Sequence, residues 1–190
     1  VEQSRPSSKY SRELGRNLAA LHNVSSPQFG LDHDNYIGSL RQFNSPSNKW
    51  SEFFIQQRLE PQLKLLPAPD KLRRKFDSLF VRLESIFPIE KPALLHGDLW
   101  GGNVIRDERG FPCVIDPAVY FGHREMELAF TRLFGGFEEA FYDTYKEVFP
   151  LEPGYMERVD VCNLYPLLVH ANLFGGHYLR EIEDILSRWA

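Results

Sequence analysis

Residues 94–118 read LLHGDLWGGNVIRDERGFPCVIDPA, and this stretch decides what kind of molecule the chain makes. Leu94-Leu95 is a short apolar step that leads into His96-Gly97-Asp98-Leu99-Trp100-Gly101-Gly102-Asn103. Two apolar pairs, Val104-Ile105 and Val114-Ile115, then flank a polar turn from Arg106 to Gly110. Short apolar runs around a glycine-bearing turn predict a β-hairpin. With Arg109-Gly110 as its tight end, Ile105 faces Val114, Val104 faces Ile115 and Asn103 faces Asp116. A loop longer by one residue still leaves Asn103 beside the Ile115–Asp116 bond. Facing side chains lie about 4.5–5.5 Å apart at Cβ, so Asn103 and Asp116 are expected to share a small space. Pro117 disfavours helical geometry at Asp116 and predicts an extended residue that ends the strand. Asp98, on a glycine-flanked loop, can turn back toward the same point.

Two carboxylates and an amide thus gather at the open end of a hairpin. Hard oxygen donors of this kind suit Mg²⁺, which takes one or two carboxylates together with water and phosphate oxygens. A further acid nearby can accept the proton of an attacking hydroxyl. The order matches the phosphoryl-transfer template, with Asp as base, Asn as metal ligand and a later Asp opening a D-x-x motif. Taken singly, Asp or Asn beside glycine is an ordinary turn residue. The signal is the combination, with an apolar strand before it and a hairpin inside it.

Outward from this centre the chain reads as helices. Tyr10, Leu14, Leu18 and Leu21 form a helical stripe between Ser7 and His22, with serine as the N-cap. Residues 23–46 are rich in Asn, Ser, Pro and Gly and read as one long loop. Trp50, Phe53, Phe54 and Leu59 mark a second helix, expected to end or kink near Pro61. A third stripe runs from Leu72 to Phe87, with Arg73-Arg74-Lys75 mostly off it as a solvated face. Beyond Phe121 helices resume. Leu-Phe-Gly-Gly occurs at 133–136 and again at 173–176, read as two helices stopped by glycine caps. Glu125 and Glu127 open a helix and are read as compensating its dipole. His22, His33, His170 and His177 show no metal-ligand spacing and are read as core or surface residues. The last helix carries Tyr178, Ile182, Ile185, Leu186 and Trp189 on one side.

Composition narrows the classes further. The 190 residues carry a formal net charge of −4 and are 43% hydrophobic and 14% aromatic, enough for a real core in one domain or lobe. An acidic balance lacks the basic footprint of a nucleic-acid or anionic-membrane partner. Cys113 and Cys162 form no CxxC pair, which fits a reducing, cytoplasmic setting. No apolar run approaches the length of a membrane span, and no signal-peptide pattern opens the chain.

The segment Leu95 to Asn103 resembles the catalytic loop of the fructosamine kinase (ketosamine-3-kinase) family, within the aminoglycoside phosphotransferase and choline kinase group of protein-kinase-like folds. The His-Gly-Asp and later Asn are shared by the broader group, while Trp100-Gly101-Gly102 points to fructosamine kinases. Asp116-Pro117-Ala118 resembles the family's D-P-A. Tyr120 to Ala129 and Leu133 to Phe137 also follow its pattern, as do Tyr36-Ile37-Gly38, Glu52-Phe53-Phe54 and Arg58 to Gln62. The resemblance implies an α+β fold: a mainly helical, protein-kinase-like C-terminal lobe with a catalytic-loop β-hairpin. It implies an ATP- and Mg²⁺-dependent kinase for the 3-hydroxyl of ketosamines such as fructoselysine or ribuloselysine. Asp98 would be the base, Asn103 and Asp116 would hold Mg²⁺, and His96 would brace the loop. Trp100 is either a flat face for the sugar or its amine-bearing chain, or a core aromatic.

The same comparison shows what the 190 residues do not contain. A kinase of this fold needs a phosphate-covering loop, a strand lysine and its helix glutamate; no G-x-G-x-x-G or P-loop occurs. Val1-Glu2-Gln3 resembles the hinge that offers backbone groups to adenine. The chain is therefore expected to consist of a hinge remnant over 1–6 and the catalytic lobe over 7–190, to lack the N-terminal ATP-binding lobe, and to be of low activity alone. The alternatives are a kinase of the aminoglycoside or choline type, or a non-catalytic module binding a sugar-amine or a protein partner.

Overall fold

The computed structural model describes residues 8–67, 69–175 and 177–189. Ser7, the expected N-cap, and Glu2 and Gln3 of the expected hinge lie outside the described residues. Helix α1 (Ser8–His22) buries Tyr10, Leu14 and Leu18, the stripe its spacing predicts.

The segment expected to be one long loop is more ordered than its composition suggests. Strands β1 (Asn35–Ile37) and β2 (Leu40–Gln42) pair antiparallel, with Asn35 opposite Gln42 and Ile37 opposite Leu40. Strands of three residues are too short to establish an alternation, so the sequence carries no period for them. Single bridges from Ser25 to Ala93, Phe29 to Ser47 and Gly30 to Phe121 hold the rest of the segment to the body.

Pro61 neither ends nor breaks the next helical run. Helix α2 (Trp50–Phe53) passes through a π-helical segment (Phe54–Leu59) into α3 (Glu60–Leu65). The Glu60 N–H reaches back to the Ile55 carbonyl, one residue further than in an α-helix. The widened turn just before Pro61 accommodates a ring that an α-helical interior would reject. Helix α4 (Asp70–Ile86) buries Leu72, Phe76, Leu79 and Leu83. Of the basic run, Arg73 pairs with Glu60 and Lys75 bonds the Ser187 hydroxyl, as a solvated face does.

Strand β3 (Ala93–Leu95) pairs antiparallel with β6 (Tyr120–Gly122), and β4 (Val104–Arg106) with β5 (Pro112–Val114). Helices α5 (Glu125–Leu133), α6 (Glu139–Val148), α7 (Tyr155–Phe174) and α8 (Tyr178–Trp189) complete the chain. The fold is α+β and mostly helical, with three two-stranded sheets among the described residues. Glycines follow α5 and α7 as expected. Gly135 and Gly136 have φ of +69° and +93°, and the Gly175 N–H bonds the Ala171 carbonyl; Gly176 lies outside the described residues. Helix α7 is buried almost all round, from Val161 to Val169, and forms the axis of the body. No described helix is long and apolar enough to cross a membrane.

The described residues form two apolar cores. The larger gathers α2 to α4, α7 and α8 and includes Leu95; the smaller lies between α1 and α6 and includes Leu99, which is fully buried. His96, Gly97 and Asp98 are therefore held at both ends, by leucines anchored in different cores.

Candidate active site

The hairpin forms one register away from its tightest prediction. Val104 faces Val114 and Ile105 faces Cys113, which places Asn103 beside Ile115. The extra residue sits in the turn. The Asp107 Oδ1 accepts the N–H groups of Arg109 and Phe111, and Gly110 takes φ +83°, the geometry of a three-residue loop. Asp116 is not extended. Regular pairing stops at Val114, and Asp116 has φ +52°, the only non-glycine residue described with positive φ. Pro117 does exclude the right-handed helical region, but Asp116 answers with a left-handed conformation that aspartate tolerates.

Asn103 ties the two sides of the site together. Its backbone carbonyl accepts the Ile115 N–H at 3.0 Å, and its Nδ2 donates to the Asp98 carbonyl at 2.8 Å and to Asp98 Oδ2 at 3.1 Å. The Asp98 carboxyl is pushed up to about 6. Burial is the main cause, the charges of Glu127 and Asp116 reinforce it, and the Asn103 amide opposes it. His96, 3% exposed, accepts the Asp98 N–H at Nδ1 (3.3 Å), which leaves Nε2 as the donor to the Ile115 carbonyl (2.9 Å). His96 thus links the Asp98 N–H to the Ile115 carbonyl at the hairpin end. Gly97 lets the Asp-Pro-Ala segment close over the loop, since a Cβ there would overlap the Ala118 carbonyl. The Ala118 N–H donates to the His96 carbonyl at 2.8 Å.

Glu127 does far more than compensate a dipole. Its Oε2 accepts the His96 N–H at 3.0 Å and contacts His22 Nε2 at 2.9 Å, while Oε1 accepts the Gly97 N–H at 2.6 Å. Burial pushes this carboxyl up, but the bond to His22, the charge of His22 and the Gly97 N–H outweigh it. The group lies below the usual carboxylate range. Glu125 likewise forms a buried two-point pair with Arg158, at 2.7 and 2.6 Å. Position near a helix start explains neither. Their partners are 30 or more residues away in sequence, where no local pattern reaches.

On the other side of Asp98 an open cleft of about 710 Å³ is lined by Trp100, Phe134, His170, Phe174 and Tyr178. Trp100 is 42% exposed, so it is a cleft wall and not a core aromatic. Its indole lies over Gly102, where a side chain would collide with the ring. Both Leu-Phe-Gly-Gly repeats end on this cleft, through Phe134 and Phe174. His170, between core and surface, donates from Nδ1 to the Pro166 carbonyl at 2.7 Å, and burial lowers its pKa. Its ring sits 4.7 Å from Phe134 and 5.3 Å from Tyr178.

Among the described residues no group of three or more His, Cys, Asp or Glu could hold a metal ion by itself. The donor set here is different: the exposed Asp116 carboxylate and an Asn103 Oδ1 left open because Nδ2 faces Asp98. Such a set fits a hard cation that keeps water and phosphate oxygens as its other ligands.

The family model described as fructosamine kinase matches residues 1–190. The chain belongs to the fructosamine kinase family. It is 40% identical to the "Probable ketoamine kinase" of Enterococcus faecium over all of its own length and 70% of that protein. It is 45% identical to that of Vibrio parahaemolyticus, over 93% of this chain and 62% of the relative. The chloroplastic protein-ribulosamine 3-kinase of Arabidopsis thaliana is 40% identical, over 92% of this chain and 56% of that one. A crystal structure described as a fructosamine-3-kinase of Thermobifida fusca superposes with a TM-score of 0.91 at 36% identity, covering 98% of this chain and 67% of that one. A macrolide 2′-phosphotransferase of Brachybacterium faecium shares the fold alone, with a TM-score of 0.54 at 16% identity. The chain thus spans roughly half to 70% of the curated relatives it matches.

Proposed function

We propose that this protein transfers the terminal phosphoryl group of ATP to the 3-hydroxyl of a ketosamine. Residues 7–190 act as the catalytic and substrate-binding lobe, and residues 1–6 as a hinge whose Glu2 and Gln3 offer backbone groups to adenine. The observation that carries the reading is the setting of Asp98. A half-buried carboxylate, pinned by Asn103, lies between the hairpin end that bears Asp116 and an aromatic cleft able to admit a sugar-amine. The ribulosamine and ketoamine kinase names of the relatives support this substrate class.

Asp98 accepts the proton of the sugar hydroxyl. Its position is fixed from behind by His96 and Glu127, and Asn103 orients the carboxylate. Trp100 offers a flat face to the sugar or its amine-bearing chain. Asn103 and Asp116 would hold Mg²⁺, which when bound neutralises charge on the nucleotide phosphates. The phosphate-covering loop and strand lysine of the template are absent from these 190 residues, so the residues alone are expected to turn over slowly or not at all.

The test is Asp98→Asn in the complete polypeptide, assayed with ATP and a panel of ketosamines, aminoglycosides and amino alcohols. Loss of a general base is expected to lower kcat by about 10²- to 10⁴-fold. The thermal midpoint should not fall, because burial disfavours the ionised carboxylate at this site. Retained activity removes Asp98 as the base, and preference for an aminoglycoside or amino alcohol overturns the substrate class.

A further inference from the structure

Gln42 lies at the end of β2, in the segment that reads as a loop, and is 1% exposed. Its amide is fully used. Nε2 donates to Asn35 Oδ1 at 2.9 Å and to the Ala118 carbonyl at 3.0 Å, while Oε1 accepts the Tyr165 hydroxyl at 2.8 Å. Asn35 donates from Nδ2 to the next carbonyl, Val119, at 2.7 Å, and its Oδ1 also accepts from Asn44 at 3.0 Å. Asn44 in turn accepts from Arg58 at 2.8 Å, and the fully buried Arg58 guanidinium stacks over Tyr120 at 3.9 Å. Three amides in series, backed by a buried cation, therefore end on two consecutive backbone carbonyls just past Asp116.

Those carbonyls matter because of what Asp116 lacks. It is exposed, and it holds a left-handed φ of +52° immediately before a proline. Aspartate tolerates this conformation at a cost that contacts on either side of it offset. Upstream, the Ile115 peptide is held by the Asn103 carbonyl and by His96 Nε2. Downstream, the Ala118 N–H is held by the His96 carbonyl, and the Ala118 and Val119 carbonyls by Gln42 and Asn35. Without the amides, the chain between Asp116 and the β3–β6 pairing that begins at Tyr120 would be held, among the described hydrogen bonds, by the one from the Ala118 N–H to the loop.

We propose that Gln42, supported by Asn35, is a positioning residue for Asp116: it clamps the Ala118 peptide and so keeps the Asp116 carboxylate beside Asn103 and Asp98. The inference rests on the reading of Asp116 as a metal-holding residue. Gln42 touches neither metal nor substrate and acts through the backbone. Outer partners that orient a metal ligand commonly contribute ten- to a hundredfold to metal affinity.

The experiment measures Mn²⁺ binding in the presence of ADP by electron paramagnetic resonance on the complete polypeptide, with the KM for a ketosamine and the thermal midpoint alongside. Gln42→Met should weaken Mn²⁺ binding about tenfold or more and leave the ketosamine KM within about twofold. Asn35→Ala removes the bond to the Val119 carbonyl at a less buried position and should weaken Mn²⁺ binding in the same direction, so the clamp is tested even where Gln42→Met lowers stability. Tyr165→Phe removes only the third bond of Gln42 and should leave Mn²⁺ affinity near wild type. Folded Gln42→Met or Asn35→Ala protein with wild-type Mn²⁺ affinity overturns the inference, and so does a Tyr165→Phe loss equal to theirs. Asp116→Asn separates the two claims: if it binds Mn²⁺ as the wild type does, the assignment of Asp116 to the metal fails, whatever the other variants show.

Discussion

The two sides of Asp98 are built in opposite ways. Toward the hairpin, Asn103, Ile115, His96 and Ala118 are joined by hydrogen bonds of 2.8 to 3.3 Å within a stretch of 23 residues. Toward the cleft, Phe134 meets the α7 rings His170 and Phe174 through tilted ring contacts at His170, and Trp100 forms a further part of the wall. Hydrogen bonds fix distance and direction, which proton transfer and metal holding require. Ring contacts are broad and tolerate displacement, which suits a wall that receives substrates of varied shape. The division predicts that damage on the first side appears in kcat and stability, and damage on the second in KM.

The largest test removes an anchor of the polar side. Leu99→Ala empties a fully buried site in the smaller core and should cost about 2–5 kcal/mol, read by chemical denaturation, with turnover reduced even where the variant stays folded. Equal stability in the variant would show that the loop does not depend on that core.

Glu127→Gln comes next. The amide must turn a donor toward either His22 or a loop N–H, at a cost of about 1–3 kcal/mol, and kcat should fall while KM changes little. The linkage has a definite sign. The folded pKa of Glu127 lies below the unfolded value of about 4.3, so its contribution is complete above that value and is lost as pH falls through the folded pKa. Glu127→Gln should therefore show a shallower acid limb in a stability–pH curve, with Glu90, which Arg124 and His123 hold low against the effect of burial, contributing to the remainder. An unchanged acid limb would refute the assignment.

The smallest effect belongs to the cleft. Trp100→Ala should raise the ketosamine KM about two- to fivefold, as loss of about 0.5–1 kcal/mol of contact between the indole face and the substrate's cationic amine would. The kcat and thermal midpoint should stay close to wild type. A collapse of kcat would mean that the wall also orients the reacting hydroxyl, and the contrast between the two sides would dissolve.

The same contrast explains what the sequence alone disclosed. The loop from His96 to Asn103, the hairpin after it and the stripe from Leu72 to Leu83 were legible because their partners are neighbours in sequence or recur with a helical period. The register slipped by one because Asp107 caps the turn with its side chain, a choice that composition does not dictate. β1 and β2 escaped for lack of length. The chain's passage through Pro61 depends on one widened turn, and the contacts that flank the left-handed Asp116 include one between residues 76 positions apart in sequence. Glu127 was visible as a residue but not as an anchor, since its three partners lie on α1 and before β4.

Leu95 and Leu99 stand four residues apart in two different cores, with the proposed base on the short span between them. Asp98 thus occupies a mechanical seam. A shift of one core against the other is delivered to its carboxylate with little backbone in between to absorb it. Substitutions deep in either core, far from any substrate, should therefore register as changes in turnover before they register as unfolding.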